Sequence, residues 1–100
     1  MGKYRLEYLP IAVADLDDIF IFVADNSPQA AMALIERLDA SIAGLESFPE
    51  MGVLAKPPRL ARKGYRVLII DDFLVFYVVL DGIVEIRRIL SGKRNYTHLV

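Results

Sequence analysis

YRVLIIDDFLVFYVVLDGIVEIRRILSGKRNY, residues Tyr65 to Tyr96, is the stretch that decides the fold. Three runs rich in Val, Ile, Phe and Tyr, 65–70, 73–80 and 83–90, are separated by Asp71-Asp72 and Asp81-Gly82, a pattern that predicts three consecutive strands. Asp81-Gly82 is the stronger turn signal, because a type I′ hairpin needs positive φ at both central residues and Gly and Asp tolerate it better than most. An antiparallel meander is therefore expected, and the rest of the chain has to cover one face of it.

Upstream, residues 3–9 (KYRLEYL) alternate, with Tyr4, Leu6 and Tyr8 on one side, and predict a short strand ended by Pro10. From Pro10 the period becomes helical, and Ala12, Leu16, Ile19, Phe20 and Val23 form one apolar stripe. Ile21 and Phe22 fall beside it, to be packed against a neighbouring helix or presented to a partner. Asp15, Asp17 and Asp18 lie towards the N-terminal half, where the helix dipole favours carboxylates, and they cannot all project to one side. Ser27-Pro28 reads as an N-cap followed by the first helical position of a second helix, running to about Phe48 with Ala31, Leu34, Ile35, Leu38, Ile42 and Leu45 inward. Residues 49–64 hold three Pro and two Gly and read as a loop. The order β-α-α-β-β-β predicts an α+β fold in one domain over residues 1–100, an antiparallel sheet with a helical hairpin on one face and the other face open.

With two-residue turns throughout, Arg66, Leu68 and Ile70 share a face with Val75, Tyr77, Val84 and Ile86. A bulge near Arg87-Arg88 would exchange the outer parts of the last strand. Either way the register gathers bases and an aromatic at one end of the sheet, from Arg66, Arg87 or Arg88, Lys93, Arg94 and Tyr96. Arg and Lys can neutralise a phosphate, and Tyr can stack on a base or transfer a proton.

Composition narrows the classes. A mean hydropathy of +0.38 is high for a small soluble chain, so both sheet faces are covered or apolar surface awaits a partner. The longest apolar runs are far short of the roughly 20 residues of a membrane span, and residues 1–10 contain no secretory hydrophobic core. Without Cys there are no disulfides, and a metal would have to rest on carboxylates and His98, near the C-terminus; none is expected. Residues 1–50 carry three bases and nine acids, residues 51–100 nine bases and four acids, which predicts one acidic and one basic surface. No Gly-rich phosphate loop, nucleophile elbow or Cys nucleophile is present, and Asp71-Asp72 reads as a turn.

Four pieces in order, Ala14-Asp15-Leu16-x-x-Ile19, Ser27-Pro28-x-Ala30-Ala31, Leu45-x-x-Phe48-Pro49-x-x-Gly52 and Val84-x-Ile86-x-Arg88-Ile89-Leu90-Ser91-Gly92-Lys93-Arg94-Asn95-Tyr96, span nearly the whole chain. In them the sequence resembles the RelE/ParE superfamily of toxins from bacterial type II toxin–antitoxin (plasmid stabilisation) systems. The resemblance implies a cytoplasmic protein without cofactor, in a hetero-oligomer with a cognate antitoxin laid over the helical hairpin or the sheet edge, with Leu16, Phe20, Ile21 and Phe22 as antitoxin contacts. It implies one of two targets. The mRNA-cleaving branch works on the ribosome without metal, and here it would use Arg66, Arg94 and Tyr96; two of its basic positions fall on Leu68 and Leu74. The sequence looks more like the ParE branch, which poisons DNA gyrase, with Arg66, Arg88, Lys93, Arg94 and Tyr96 as target contacts. A third expectation is an inactive remnant that only binds antitoxin.

Overall fold

The computed structural model describes residues 3–92 and 100. Its elements are β1 (Arg5–Tyr8), α1 (Pro10–Ala24), α2 (Pro28–Ala43) continued by a 3₁₀ turn (Gly44–Glu46), β2 (Val53–Leu54), α3 (Pro58–Arg62), β3 (Arg66–Ile70), β4 (Phe73–Leu80) and β5 (Ile83–Ser91). The meander is antiparallel as expected. β1 adds to it in parallel against β5, and β2 pairs with β3 at the other edge, so the sheet is five-stranded and mixed, in the order β1-β5-β4-β3-β2. The α1–α2 hairpin forms the second layer. Pro10 opens α1, and Ser27 caps α2, its Oγ accepting from the Ala30 N–H at 3.1 Å.

Three local expectations are corrected. The 49–64 stretch is not all loop, since it contains β2 and α3. At Asp81-Gly82 only Gly82 has positive φ, 71°, so the turn is not type I′; glycine takes the left-handed position alone and Asp81 avoids its cost. The second sheet face is not open. Leu60 of α3 is fully buried and packs with Ala55, Tyr65, Val67, Phe76, Val78 and Leu90 in a core of its own.

The main core lies between the sheet and the hairpin, where Leu38, Ile42 and Leu45 meet Val75, Tyr77, Val84 and Ile86, all fully buried. Sheet parity is broken once. The register jumps between Tyr77↔Ile86 and Phe76↔Arg88, leaving Arg87 opposite no residue, a bulge at the position the sequence allowed for. As a result Ile86 and Ile89, three apart, both face the hairpin, while Leu90 joins the second core.

Tyr77 ties the loop before β2 to this frame. Its hydroxyl donates to the Pro49 carbonyl at 2.7 Å and accepts from the Gly52 N–H at 2.9 Å, and Arg66 Nη1 donates to the Gly52 carbonyl at 2.7 Å. A Cβ on Gly52 would stand 2.7 Å from the Val67 carbonyl oxygen and 2.8 Å from the Tyr77 hydroxyl, so only glycine fits. Tyr77→Phe would leave the Gly52 N–H without its partner, and a buried amide without a partner costs about 1–3 kcal/mol. Urea unfolding should show a loss of that size.

Candidate functional site

Asp15 is the one charged residue among the described residues that the fold buries, at 8% exposure. It occupies the inward stripe of α1 where the sequence reading placed only apolar residues. Arg88 grips it in a fork, Nε to Oδ2 at 2.8 Å and Nη2 to Oδ1 at 3.0 Å. The Ile89 N–H donates to Oδ2 at 2.9 Å. The carboxylate thus receives three donors from the bulge and its flank, which compensates the cost of burying it. Its hydrogen bond to Asp15 holds the Arg88 guanidinium still more firmly protonated than usual, against the opposing effect of burial. The dipole argument is not what places Asp15, because no acidic residue lies in the first turn of α1.

The expected cluster of sheet bases is drawn apart. Arg88 turns to α1, and Arg66 turns to the 49–52 loop. Arg87 lies over the second face, donating to Glu85 at 2.7 Å and to the Tyr65 hydroxyl at 3.2 Å with its guanidinium 5.5 Å from the Tyr65 ring centre. Lys93, Arg94, Tyr96 and His98 lie outside the described residues. The exposed bases Lys56, Arg59, Arg62 and Lys63 instead line α3 and its flanks. Among the described residues no three His, Asp or Glu side chains converge as metal ligands, and no helix is long and apolar enough to cross a membrane.

The C-terminal half of α1 presents the other candidate surface. Phe22 is 79% exposed, Ile21 67% and Phe20 37%. Phe20 therefore leaves the inward stripe, and Ile21 and Phe22 are not packed against a neighbouring helix. Leu16, expected as a contact residue, is half-buried and packs on the main core. Beside Phe22 runs a groove of about 470 Å³, lined by Asp18, Ile19, Val23, Phe73 and Leu90 among others. An apolar surface of this kind rimmed by carboxylates suits a partner polypeptide better than bulk water.

The fold, a helical hairpin on one face of a sheet, is shared with chains of solved toxin–antitoxin systems. The chain superposes on a chain of the chromosomal ParDE toxin–antitoxin system from P. aeruginosa with a TM-score of 0.74 at 22% identity, covering 89% of this chain and 96% of that one. Against a chain of the toxin–antitoxin complex RelBE2 from Mycobacterium tuberculosis the TM-score is 0.62 at 17% identity, covering 91% and 93%. Toxin RelE2 of Caulobacter vibrioides is 34% identical over 84 residues, 83% of this chain and 89% of that protein. The family model described as the ParE toxin of the type II toxin–antitoxin system parDE matches residues 6–96. The chain belongs to this ParE toxin family, within the RelE/ParE superfamily.

Asp15→Ala would take from the buried Arg88 guanidinium its carboxylate and from the Ile89 N–H its acceptor. Breaking a buried pair from one side costs about 3–5 kcal/mol, measurable as a lower urea midpoint, whereas a change at exposed Asp17 should stay within about 0.5 kcal/mol. Tyr8 and Tyr77 set a limit at high pH. Burial, and for Tyr8 also Asp39, raises both phenols above the usual value of 10.0. Their neutral forms are favoured in the folded chain, so this part of the stability is complete below pH 10.0 and is lost as pH rises towards the folded values. Thermal unfolding should therefore shift downwards above pH 10.0, and the shift should shrink in Tyr8→Phe.

Proposed function

We propose that this chain is a ParE-type toxin that acts in the cytoplasm by binding and inhibiting DNA gyrase, and that a cognate antitoxin neutralises it. The observation that carries this reading is the condition of the sheet. Of the bases expected at the end of the sheet, the described ones, Arg66 and the alternatives Arg87 and Arg88, are each bonded within the chain, Arg66 to Gly52, Arg87 to Glu85 and Tyr65, and Arg88 to Asp15. Leu68 and Leu74, where the mRNA-cleaving branch carries cations, pack into the two cores. That leaves a surface suited to contact with a protein target rather than to in-line cleavage of a phosphodiester, which calls for charged groups aimed at the reacting phosphate.

The antitoxin docks on the exposed end of α1, with Phe20, Ile21 and Phe22 as anchors in and beside the groove. Amphipathic segments commonly lie in such apolar grooves. Lys93, Arg94 and Tyr96 complete the target-binding surface.

Brief expression of the chain alone in a bacterium should cut viable counts and induce a DNA-damage reporter, and the purified chain should inhibit gyrase supercoiling at micromolar concentration. Supercoiling that is unchanged, together with codon-positioned mRNA cuts lost in Arg94→Ala, would replace gyrase with the ribosome. Phe22→Asp should leave the folded chain intact and toxic while weakening its rescue by co-expressed antitoxin.

A further inference from the structure

Residues 51–70 contain five bases and no acid. Arg66 is turned to the Gly52 carbonyl, and the other four, Lys56, Arg59, Arg62 and Lys63, are exposed on α3 and its flanks. Four like charges within eight residues repel one another, and nearby carboxylates do not relieve them. Among the described residues Lys56, Arg62 and Lys63 make no ion pair. The two carboxylates carried by strands, Glu7 and Glu85, are taken by Arg5 and Arg87. The platform beneath the bases is fixed. Pro57 and Pro58 open α3, Leu60 is fully buried in the second core, and the Leu60 carbonyl accepts from the Tyr65 N–H at 3.0 Å. Gly64, at a φ of 81°, then turns the chain back into β3. With Leu60 as its anchor, the helix keeps its charged side outwards, and Arg59 and Arg62, three apart, are neighbours on it.

α3 offers charge and little else. Apart from its two arginines, only Pro58 of the helix is exposed. A polypeptide partner takes most of its affinity from apolar or aromatic anchors seated in pockets, and the grooves beside α1, at residues 47–51 and beside α2 are lined by other segments. A phosphate backbone needs no anchor, because its affinity comes from the counterions released as bases neutralise phosphates. Single strands are held differently, by bases stacked on exposed rings. The rings beneath α3, Tyr65 and Phe76, are buried, and Tyr65 carries the Arg87 guanidinium over its face. A duplex, with its bases stacked inside and its phosphates outside, asks only for what this surface has.

We infer that Lys56, Arg59, Arg62 and Lys63 hold the phosphate backbone of duplex DNA, without reading its sequence. The choice of DNA over duplex RNA rests on the gyrase reading, since gyrase works on duplex DNA, and the inference adds to that reading a contact made to the nucleic acid rather than to the enzyme. The whole chain has a net charge of −1, so the contact is weak in the free chain and gains when the chain is already held beside the DNA.

The test is fluorescence anisotropy of a labelled DNA duplex titrated with the full chain at a series of salt concentrations. The logarithm of the affinity should fall against the logarithm of salt with a slope of about 3–4, the value for four neutralised phosphates, and a duplex of unrelated sequence should give the same slope. The triple variant Lys56→Gln, Arg62→Gln, Lys63→Gln should lower the slope by about 3 and weaken binding at low salt at least about tenfold, with its urea midpoint unchanged. Lys3→Gln, before β1 at the opposite edge of the sheet, should change neither. In supercoiling assays the triple variant should inhibit gyrase only at higher concentration than the unmodified chain. An unaltered slope in the triple variant overturns the inference, as does single-stranded RNA or polyglutamate bound as tightly as duplex DNA. Duplex RNA bound more tightly than duplex DNA also overturns it, in favour of an RNA target. DNA binding that the triple variant loses, with gyrase unaffected by the unmodified chain, upholds the surface and overturns the gyrase reading. Gyrase inhibited equally by both chains, with no DNA bound by either, does the reverse.

Discussion

The Asp15 carboxylate is the joint between the two layers. It stands on the face of α1 that meets the sheet, and its partners are the Arg88 guanidinium and the Ile89 amide on β5. Both follow directly on the bulge at Arg87, one a side chain and the other a main-chain N–H. The helix is held at that point by three charge-assisted hydrogen bonds rather than by apolar contact alone. Directional bonds of this kind fix how far α1 slides and turns on the sheet, which an apolar seam by itself does loosely. The position of the exposed end of α1, with Phe20, Ile21 and Phe22, follows from that joint.

The same bond shapes what the surface can do. Arg88 is drawn inward, and the other two sheet arginines are tied to a loop carbonyl and to a Glu–Tyr pair. Four exposed bases, Lys56, Arg59, Arg62 and Lys63, gather around α3, on the sheet face away from the hairpin, while Lys3, Arg5 and Arg37 are exposed elsewhere and Asp17, Asp18 and Asp25 are exposed on α1 and its end. Apolar surface survives at the end of α1, with Phe20, Ile21 and Phe22, and also around β2 and the segment before it, with Phe48, Met51, Val53 and Leu54.

Much of this was legible without coordinates. The three strands of the meander, the helical hairpin, the Ser27 cap and the inward stripe of α2 are local patterns of period 2 or 3.6, and each formed where its residues indicated. The family was legible too, because its pieces keep their order and spacing along the chain. Of the candidate site, Ile21 and Phe22 were readable as residues off the apolar stripe, although their alternative fate, burial against a second helix, could be told apart only by the packing. Asp15 was missed as a structural residue. One signal was available: a carboxylate at the spacing of Ala12 and Leu16, within an otherwise apolar stripe, calls for a buried cation elsewhere.

What the sequence by itself determined is the first strand, the helical hairpin, the meander, their order and the family, since these rest on local periodicity and on motifs that need no partner in space. What only the tertiary structure decided is which charges are available. Arg66 and Arg88 look alike in sequence as strand-end bases, yet each is drawn to a group 14 or 73 residues away, at Gly52 and Asp15. Likewise the chain just before β2 is held by Tyr77, 25 residues beyond Gly52. Such bonds depend on distances between remote residues, and a one-dimensional pattern does not carry them.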